Sequence, residues 1–385
     1  MKVVELAHVA SGPFAGMLLA DLGADVVKIE SAAGDMMRGW PPVEDGPDGS
    51  GFSHNFASLN RNKRSVMLDL KDPADIETAR GLIGAADVLV ENFRPGALDR
   101  LGLGFEDARR VNDHIVYCSV SGYGHASPFA TRAAFDVAVQ GVSGLMSVTG
   151  EEEGIAVKCG VPVADFVAGL YAVVSILAAL RSRDRDSQAV RVDCAMVGAL
   201  LGISALQTSE FFGTGRAPRR LGTAHPRNAP YQAFQASDRP FVMAAGNDRM
   251  WADLCSLLSL EDLVDDERFA TQAVRAANHR ELAEILGAEF TARSADEWIA
   301  ALDEAGIACA PVNDFAEALE DPTVVALDLL RDLHLPNGVE TKTVAYPVGM
   351  STHDFAVYRD PPELGADTDT VLAEWLGATE PEDKT

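Results

Sequence analysis

The first 125 residues alternate between two hydrophobic periods, and that alternation restricts the fold more than any other feature of the chain. Short β-rich runs stand at Val3–Val9, Asp25–Glu30, Ser65–Leu70, Asp87–Phe93 and Ile115–Val120. Helix-patterned stretches at Pro13–Leu22, Ala74–Ile83 and Leu98–Val111 separate several of them. Strands joined through helices require crossover connections, which return each strand parallel to the last and cover both faces of the sheet. The expected class is therefore α/β, with a doubly wound parallel sheet. Gly23, Gly84 and Gly102 sit where these helices should end. The segment from Ser31 to Leu59, rich in Gly, Pro and Asp, reads as a long excursion between the second and third strands, and such loops usually serve function.

Downstream, DFVAGLYAVVSILAALRSR (Asp165–Arg183) predicts one apolar helix, AVRVDCAM a strand, and Val197–Glu210 a second helix. The Gly-, Pro- and Arg-rich stretch 211–230 reads as a linker to a second domain. Beyond it YQAFQA and PFVMAA predict strands, followed by amphipathic helices to about residue 330. VAYPVGM then predicts a strand, and the last segment a Pro-rich crossing with a closing helix. The apolar run Phe166–Leu180 is about fifteen residues, short of the roughly twenty a bilayer requires, so it reads as a buried helix.

Charge excludes some partners. The 385 residues include 32 Lys and Arg against 58 Asp and Glu, a net charge of −26, which repels nucleic acid and anionic membranes alike. The balance is uneven, because residues 28–110 hold 11 basic and 14 acidic side chains while the other 302 hold 21 and 44. A near-neutral stretch in so acidic a chain suits an anionic ligand as well as it suits solvated helix faces. Five scattered cysteines without a C-x-x-C pair argue against a disulfide framework and a cysteine zinc site. No metal site is expected. With an N-terminus that makes a poor secretion signal, they point to a cytoplasmic setting.

Hydrolase motifs and a P-loop are absent. HVASGPFAG, with Gly12, Gly16 and an acidic Glu30 ending the second strand, resembles a phosphate-binding turn; it lacks the middle glycine, and Pro13 removes an amide donor. Asp165 opens the long apolar helix, where the positive end of the helix dipole favours an ionised, nucleophilic carboxylate; a plain N-cap is the alternative. His125, in SGYGHASPF, is either a general base or a turn histidine.

Taken together, these segments resemble family III CoA transferases, the group with formyl-CoA and carnitine CoA transferases and, more distantly, α-methylacyl-CoA racemases. The likeness spans nearly the whole chain: GPFAGMLLADLGADVVKIES, GDMMRGW, NRNKRSVMLDLKDP, VENFRPGALDRLGLG, the stretch GYGHASPFATRAAFDVAVQGVSGLMSVTG with the Asp165 helix, APYQAFQASDRPFVMAAGNDRMW, DDERFAT, AGIACAPVNDFAEALEDP and PPELGADTDTVL.

The resemblance implies a Rossmann-like large CoA-binding domain over 1–210, completed by 331–385. After the 211–230 linker comes a smaller α+β domain over 231–330, and two subunits would interlock as rings in a homodimer. It implies that Asp165 is the nucleophile, passing through an aspartyl anhydride and an aspartyl-CoA thioester. Acyl-CoA and a small free carboxylic acid, dicarboxylic by expectation, are the substrates, with no resident cofactor. Val9, Ala10 and Ser11 fall on the loop along CoA, Leu68 and Lys71 beside its adenine, and Asn92, Phe93, Arg94 and Arg100 near its nucleotide and phosphates. Lys63 and Arg64 are either helpers there or a structural strand entry. Phe135 and Asp136 occupy the positions of the racemase His-Asp pair, so the base is missing and racemisation is disfavoured. Ala245 and Gly246, in Ala244-Ala245-Gly246, stand where formyl-CoA transferase has a Gly-rich loop, and Ala10 where it has Gln. A racemase or epimerase, CoA transfer within one molecule, and a silent CoA binder remain the alternatives.

Overall fold

A computed structural model describes residues 1–186 and 188–377, leaving aside the side chains of 183–186. Two compact units divide it: the first takes Met1–Leu145, Lys158–Gly215 and the chain from Asp328 onward, the second Met146–Val157 and Arg216–Leu327. The stretch 211–230 is shared out, since a helix over Ala205–Thr214 takes its start and residues from Arg216 belong to the second unit.

The first unit is built on six strands: β1 (Lys2–Leu6), β2 (Asp25–Glu30), β3 (Lys63–Met67), β4 (Val88–Glu91), β5 (Val116–Ser121) and β6 (Val190–Ala195). All pair in parallel, in the order β3-β2-β1-β4-β5-β6. Successive strand residues face opposite layers. Val3, Val26, Val88 and Val116 join one core with α1 (Ser11–Asp21) and a long helix, α4 (Val163–Asp186). Val4, Val27, Leu89 and Tyr117 join another with α2 (Pro73–Gly84) and the C-terminal helix Thr368–Leu376. A sheet covered on both faces needs apolar side chains on both, which is why consecutive apolar residues such as Val3-Val4, Val26-Val27 and Val88–Val90 recur in its strands. The strand order reverses direction between β1 and β4, and ligands of such sheets bind outside the carboxyl ends at that point.

Local chemistry moved several boundaries. The third strand starts at Lys63 rather than Ser65, directly after Asn62 turns the chain at φ 63°. The expected helix Leu98–Val111 is broken into Ala97–Arg100 and Phe105–Val111 by Gly102, which sits at φ 67°. The helix expected over Val197–Glu210 splits at Ser204 into α5 (Met196–Ile203) and Ala205–Thr214. VAYPVGM is not a strand: the pairing is Leu330–His334 with Glu340–Val344, ending ahead of Pro347, which has no N–H to give. The 31–59 excursion holds a 3₁₀ turn, Met36–Gly39, a hairpin of Val43–Asp45 with Gly51–Ser53, and a helix, His54–Asn60.

Helix α4 is buried along one stripe only. Ala164, Ala168, Ala172 and Ile176 face the core, whereas Leu170, Tyr171, Val174 and Leu177 are exposed. It is long and apolar enough to cross a membrane by length and composition alone.

The second unit carries an antiparallel sheet of β7 (Tyr231–Gln235), β8 (Pro240–Ala244) and β9 (Ala308–Pro311), in the order β9-β8-β7. Phe241, Trp251, Phe290 and Trp298 fill its core beneath amphipathic helices.

Candidate active site

At the β1/β4 reversal lies a cavity of about 260 Å³. Its walls are the loop after β1 (His8–Ser11), the loop after β4 (Asn92–Pro95), the end of β5 (Val120–Gly122), the segment Ala130 with Arg132–Phe135, and Asp165 and Met196. Of the residues expected to act, Val9, Ala10, Ser11, Asn92, Phe93, Arg94, Phe135 and Asp165 meet here. His8, Arg132, Ser121 and Met196 join them without having been singled out from the sequence.

Asp165 lies in the first turn of α4 but is not its cap. The cap is supplied from outside by Asp136, at the start of α3 (Asp136–Val142): its Oδ1 accepts from the Ala164 amide at 2.8 Å and its Oδ2 from Gln140 Nε2 at 2.6 Å. That leaves the Asp165 carboxylate on the same cavity wall as Ser11, whose hydroxyl and backbone N–H favour its charged form. Burial, and then the negative charge of Asp136, push the Asp165 carboxyl up to about 6 against these two donors. The group is ionised at neutral pH, and among the described residues no cation pairs with it, the condition of a reactive carboxylate.

The turn that offers Ser11 is fixed on every side. Val9 sits at φ 66°, a conformation worth about 1–3 kcal/mol of strain for a side chain like this. Its N–H donates to the Asp35 carboxylate at 3.1 Å. Asn92 accepts from the His8 N–H at 2.9 Å and donates to the His8 carbonyl at 2.8 Å and to Ser11 Oγ at 3.4 Å. The Asn92 amide is thus occupied within the protein, although the residue borders the cavity. The His8 and Phe93 rings form a T-shaped pair with centroids 5.7 Å apart, and burial, then the Lys28 charge, hold the His8 imidazole below the usual value.

This turn is not a dinucleotide fingerprint. A Cβ on Gly12 would stand 2.4 Å from that of Ala7, and one on Gly16 would stand 1.9 Å from Glu5 Oε2, so packing accounts for both glycines. Glu30 is likewise taken: it accepts from Arg38 through both oxygens, at 2.8 and 2.7 Å, and from the Asp35 amide and Ser65 hydroxyl.

Other expected residues lie outside the cavity. Leu68 is buried in the α2-side core, just past the carboxyl end of β3; Lys71 follows it, exposed, and Arg100 is exposed on the short helix after β4. Ala245 and Gly246 belong to the second unit, where the Ala245 N–H donates to the Pro230 carbonyl. Lys63 and Arg64 take the structural role. Lys63 is fully buried in an ion cluster under the turn, and Arg64 pairs with Asp25 and with Glu374, the latter at 2.6 Å. His125 is held in a turn, its Nε2 2.8 Å from Ser119 Oγ and its N–H on Asp193. Among the described residues no cluster of His, Cys, Asp and Glu could hold a metal.

The family model described as CoA-transferase family III matches residues 1–368. A succinate–glutarate CoA-transferase of Agrobacterium fabrum is 38% identical, over 97% of this chain and 94% of its own length. The human succinyl-CoA:glutarate CoA-transferase is 34% identical, over 98% of this chain and 85% of its own. Among solved structures, a CAIB/BAIF family protein from Brucella suis superposes with a TM-score of 0.88 at 38% identity, covering 97% of this chain and 98% of that one.

Proposed function

Because the chain belongs to CoA-transferase family III, we propose that it moves CoA from an acyl-CoA donor to a small free dicarboxylic acid, with Asp165 as the nucleophile. The observation that carries this reading is the Asp165 carboxylate itself, ionised, without a cation partner among the described residues, and open to a cavity at the carboxyl ends of β1 and β4. The names of the glutarate-using relatives support the choice of acid.

In the proposed cycle an Asp165 oxygen attacks the thioester carbonyl and CoA leaves as thiolate, giving a mixed anhydride. The thiolate attacks the aspartyl carbonyl and expels the donor acid, leaving aspartyl-CoA. The incoming carboxylate attacks that carbonyl and expels the CoA thiolate, giving a second mixed anhydride; the thiolate then attacks the acceptor's carbonyl, releasing new acyl-CoA and regenerating the Asp165 carboxylate. Each step exchanges a carboxylate for a thiolate at an activated acyl carbon, so no ATP is consumed and no net proton moves. The Val9–Ser11 turn would lie along CoA, while Phe93, Arg94 and Arg100 would take the nucleotide and phosphates and Lys71 would stand beside the adenine.

Phe135 borders the cavity without a proton-accepting atom, and Asp136 is committed to Ala164 and Gln140, which favours acyl transfer over α-proton exchange. The exposed apolar residues of α4, together with Leu206, Phe211 and Phe212, support pairing with a second copy as interlocked rings. Five free thiols support a reducing, cytoplasmic setting. The deciding experiment is mass spectrometry of CoA thioesters formed in D2O from succinyl-CoA and isotope-labelled dicarboxylic acids. Label in a new thioester is the expected result; deuterium at the α-carbon without a new thioester would replace this reading with a racemase.

A further inference from the structure

Directly beneath the Ser11 turn lies a charged cluster with no exposed atoms. Glu5, inside β1, receives Lys28 Nζ from β2 at 3.0 Å and Lys63 Nζ from β3 at 2.8 Å, and all three side chains are fully buried. Each lysine has a second task. Lys28 donates to the Ala7 carbonyl at 2.6 Å and meets Asp35 at 2.9 Å, the carboxylate that holds the Val9 N–H. Lys63 donates to the Pro13 carbonyl at 2.8 Å and to Asn60 Oδ1 at 2.9 Å. The two ammonium groups thus grip the turn at both ends, Ala7 and Pro13, with Ser11 between them. A cluster needed only for stability could be replaced by apolar side chains of similar volume at little cost; these ammonium groups instead terminate on the backbone of one strained turn.

We propose that the Lys28–Glu5–Lys63 cluster is a positioning device, which fixes the 7–13 turn from within and, through Ser11, holds the Asp165 carboxylate in its reactive placement. The inference rests on the transferase reading of Asp165, and it makes Lys28, Lys63 and Glu5 positioning residues rather than catalytic ones. The groups facing Asp165 are Ser11 from α1 and Asp136 from α3, with His8, Arg94 and Arg132 on the same cavity. Those facing the cluster are Asp35, Glu30, Arg38 and Asn60.

The test compares Lys63→Met and the milder Asn60→Ala, which removes one Lys63 acceptor and keeps its charge. Rate against pH is measured with succinyl-CoA and glutarate. In parallel, the Asp165 carboxyl is titrated by NMR in protein labelled with 13C-aspartate, assigned through Asp165→Asn. Lys63→Met is expected to lower kcat by about tenfold to a hundredfold while KM for the acid stays within about twofold. Its acid limb and NMR midpoint should both rise by roughly half a pH unit, since loosened Ser11 donors favour the charged carboxylate less. Asn60→Ala should move both the same way by less, and it decides alone if Lys63→Met does not fold. In a Ser11→Ala background, where only the backbone N–H of residue 11 remains to act on Asp165, the Lys63 change should shift the midpoint by less. Leu82→Ala, a truncation in the opposite core, should lower Tm and leave the midpoint in place.

Folded variants with an unmoved midpoint, or an undiminished shift in the Ser11→Ala background, would overturn the proposal. A wild type that transfers no CoA while its Asp165 midpoint still follows Lys63 would defeat the transferase reading and keep the positioning role.

Discussion

Two carboxylates in the same α/β unit are treated in opposite ways. Glu5 is entirely buried and holds an ammonium group on each side, at 2.8 and 3.0 Å. Asp165 is less buried, has no cation paired with it among the described residues, and faces the like charge of Asp136. Glu5 is a charge the fold has neutralised, and it plays no part in chemistry because it is sealed from the cavity between two ammonium groups. Asp165 is a charge the fold tolerates without neutralising, with Ser11 favouring its ionised form. The lysines between them show the cost of the arrangement. Burial opposes the Lys28 charge, yet Glu5, Asp35 and Glu30 together outweigh it and raise its pKa, while burial, aided by Lys28, brings Lys63 down to about 8. The charges of the scaffold are paired with one another, while the reactive group is not given an opposite charge among the described residues.

The comparison breaks first at Asp165. Asp165→Ala should cut transfer by about 10³-fold or more while CoA binding measured by calorimetry changes only a few-fold. Near-normal turnover would mean that the under-compensated carboxylate is incidental. Next in size is Glu5→Gln, which leaves two buried ammonium groups facing each other across a neutral amide. Removing one member of such a cluster should cost about 3–5 kcal/mol in urea unfolding, and a loss under about 1 kcal/mol would show that the cluster does not need its charge.

Most of the fold was legible, because a parallel sheet covered on both faces leaves a pattern that alternating strands and helices cannot hide. The second strand, Asp25–Glu30, matches residue for residue. Boundaries failed where a single backbone conformation decided them, as at Asn62 and Gly102, since a positive φ leaves only a weak mark in composition. Asp165 was visible as an acid opening an apolar helix, but its cap was not, because Asp136 reaches Ala164 from 28 residues away. Arg132 and His8 were missed since their place on the cavity depends on where loops converge. The ion cluster did have a signal: Lys28 and Glu5 stand inside strands that a doubly covered sheet should fill with apolar residues, and a charge there must find an opposite one.

Smaller effects sharpen the contrast. The Asp165 carboxyl titrates at about 6 when folded and near 3.9 in an unfolded chain, so the folded state binds its proton more tightly. Below about pH 4 both states are protonated and the group costs nothing. Above pH 6 both are ionised, and the wild type carries a penalty on the order of 2–3 kcal/mol. Asp165→Asn should therefore unfold at higher urea than wild type at pH 8, with the gap closing as pH falls through 6 to 4; equal stability at pH 8 would show that the carboxylate is better compensated than its surroundings indicate.

The smallest effect belongs to Asp136. Asp136→Asn keeps an oxygen for the Ala164 amide and removes the negative charge, so helix α4 stays capped while Asp165 loses a repulsion that ranks second to burial. The acid limb of kcat/KM should move downward from about 6, by less than burial alone contributes, and turnover near pH 5 should rise relative to wild type. A limb that moves upward instead would mean that the cap, not the charge, is what Asp136 supplies, and that the placement of α4 governs Asp165 more than the field around it does.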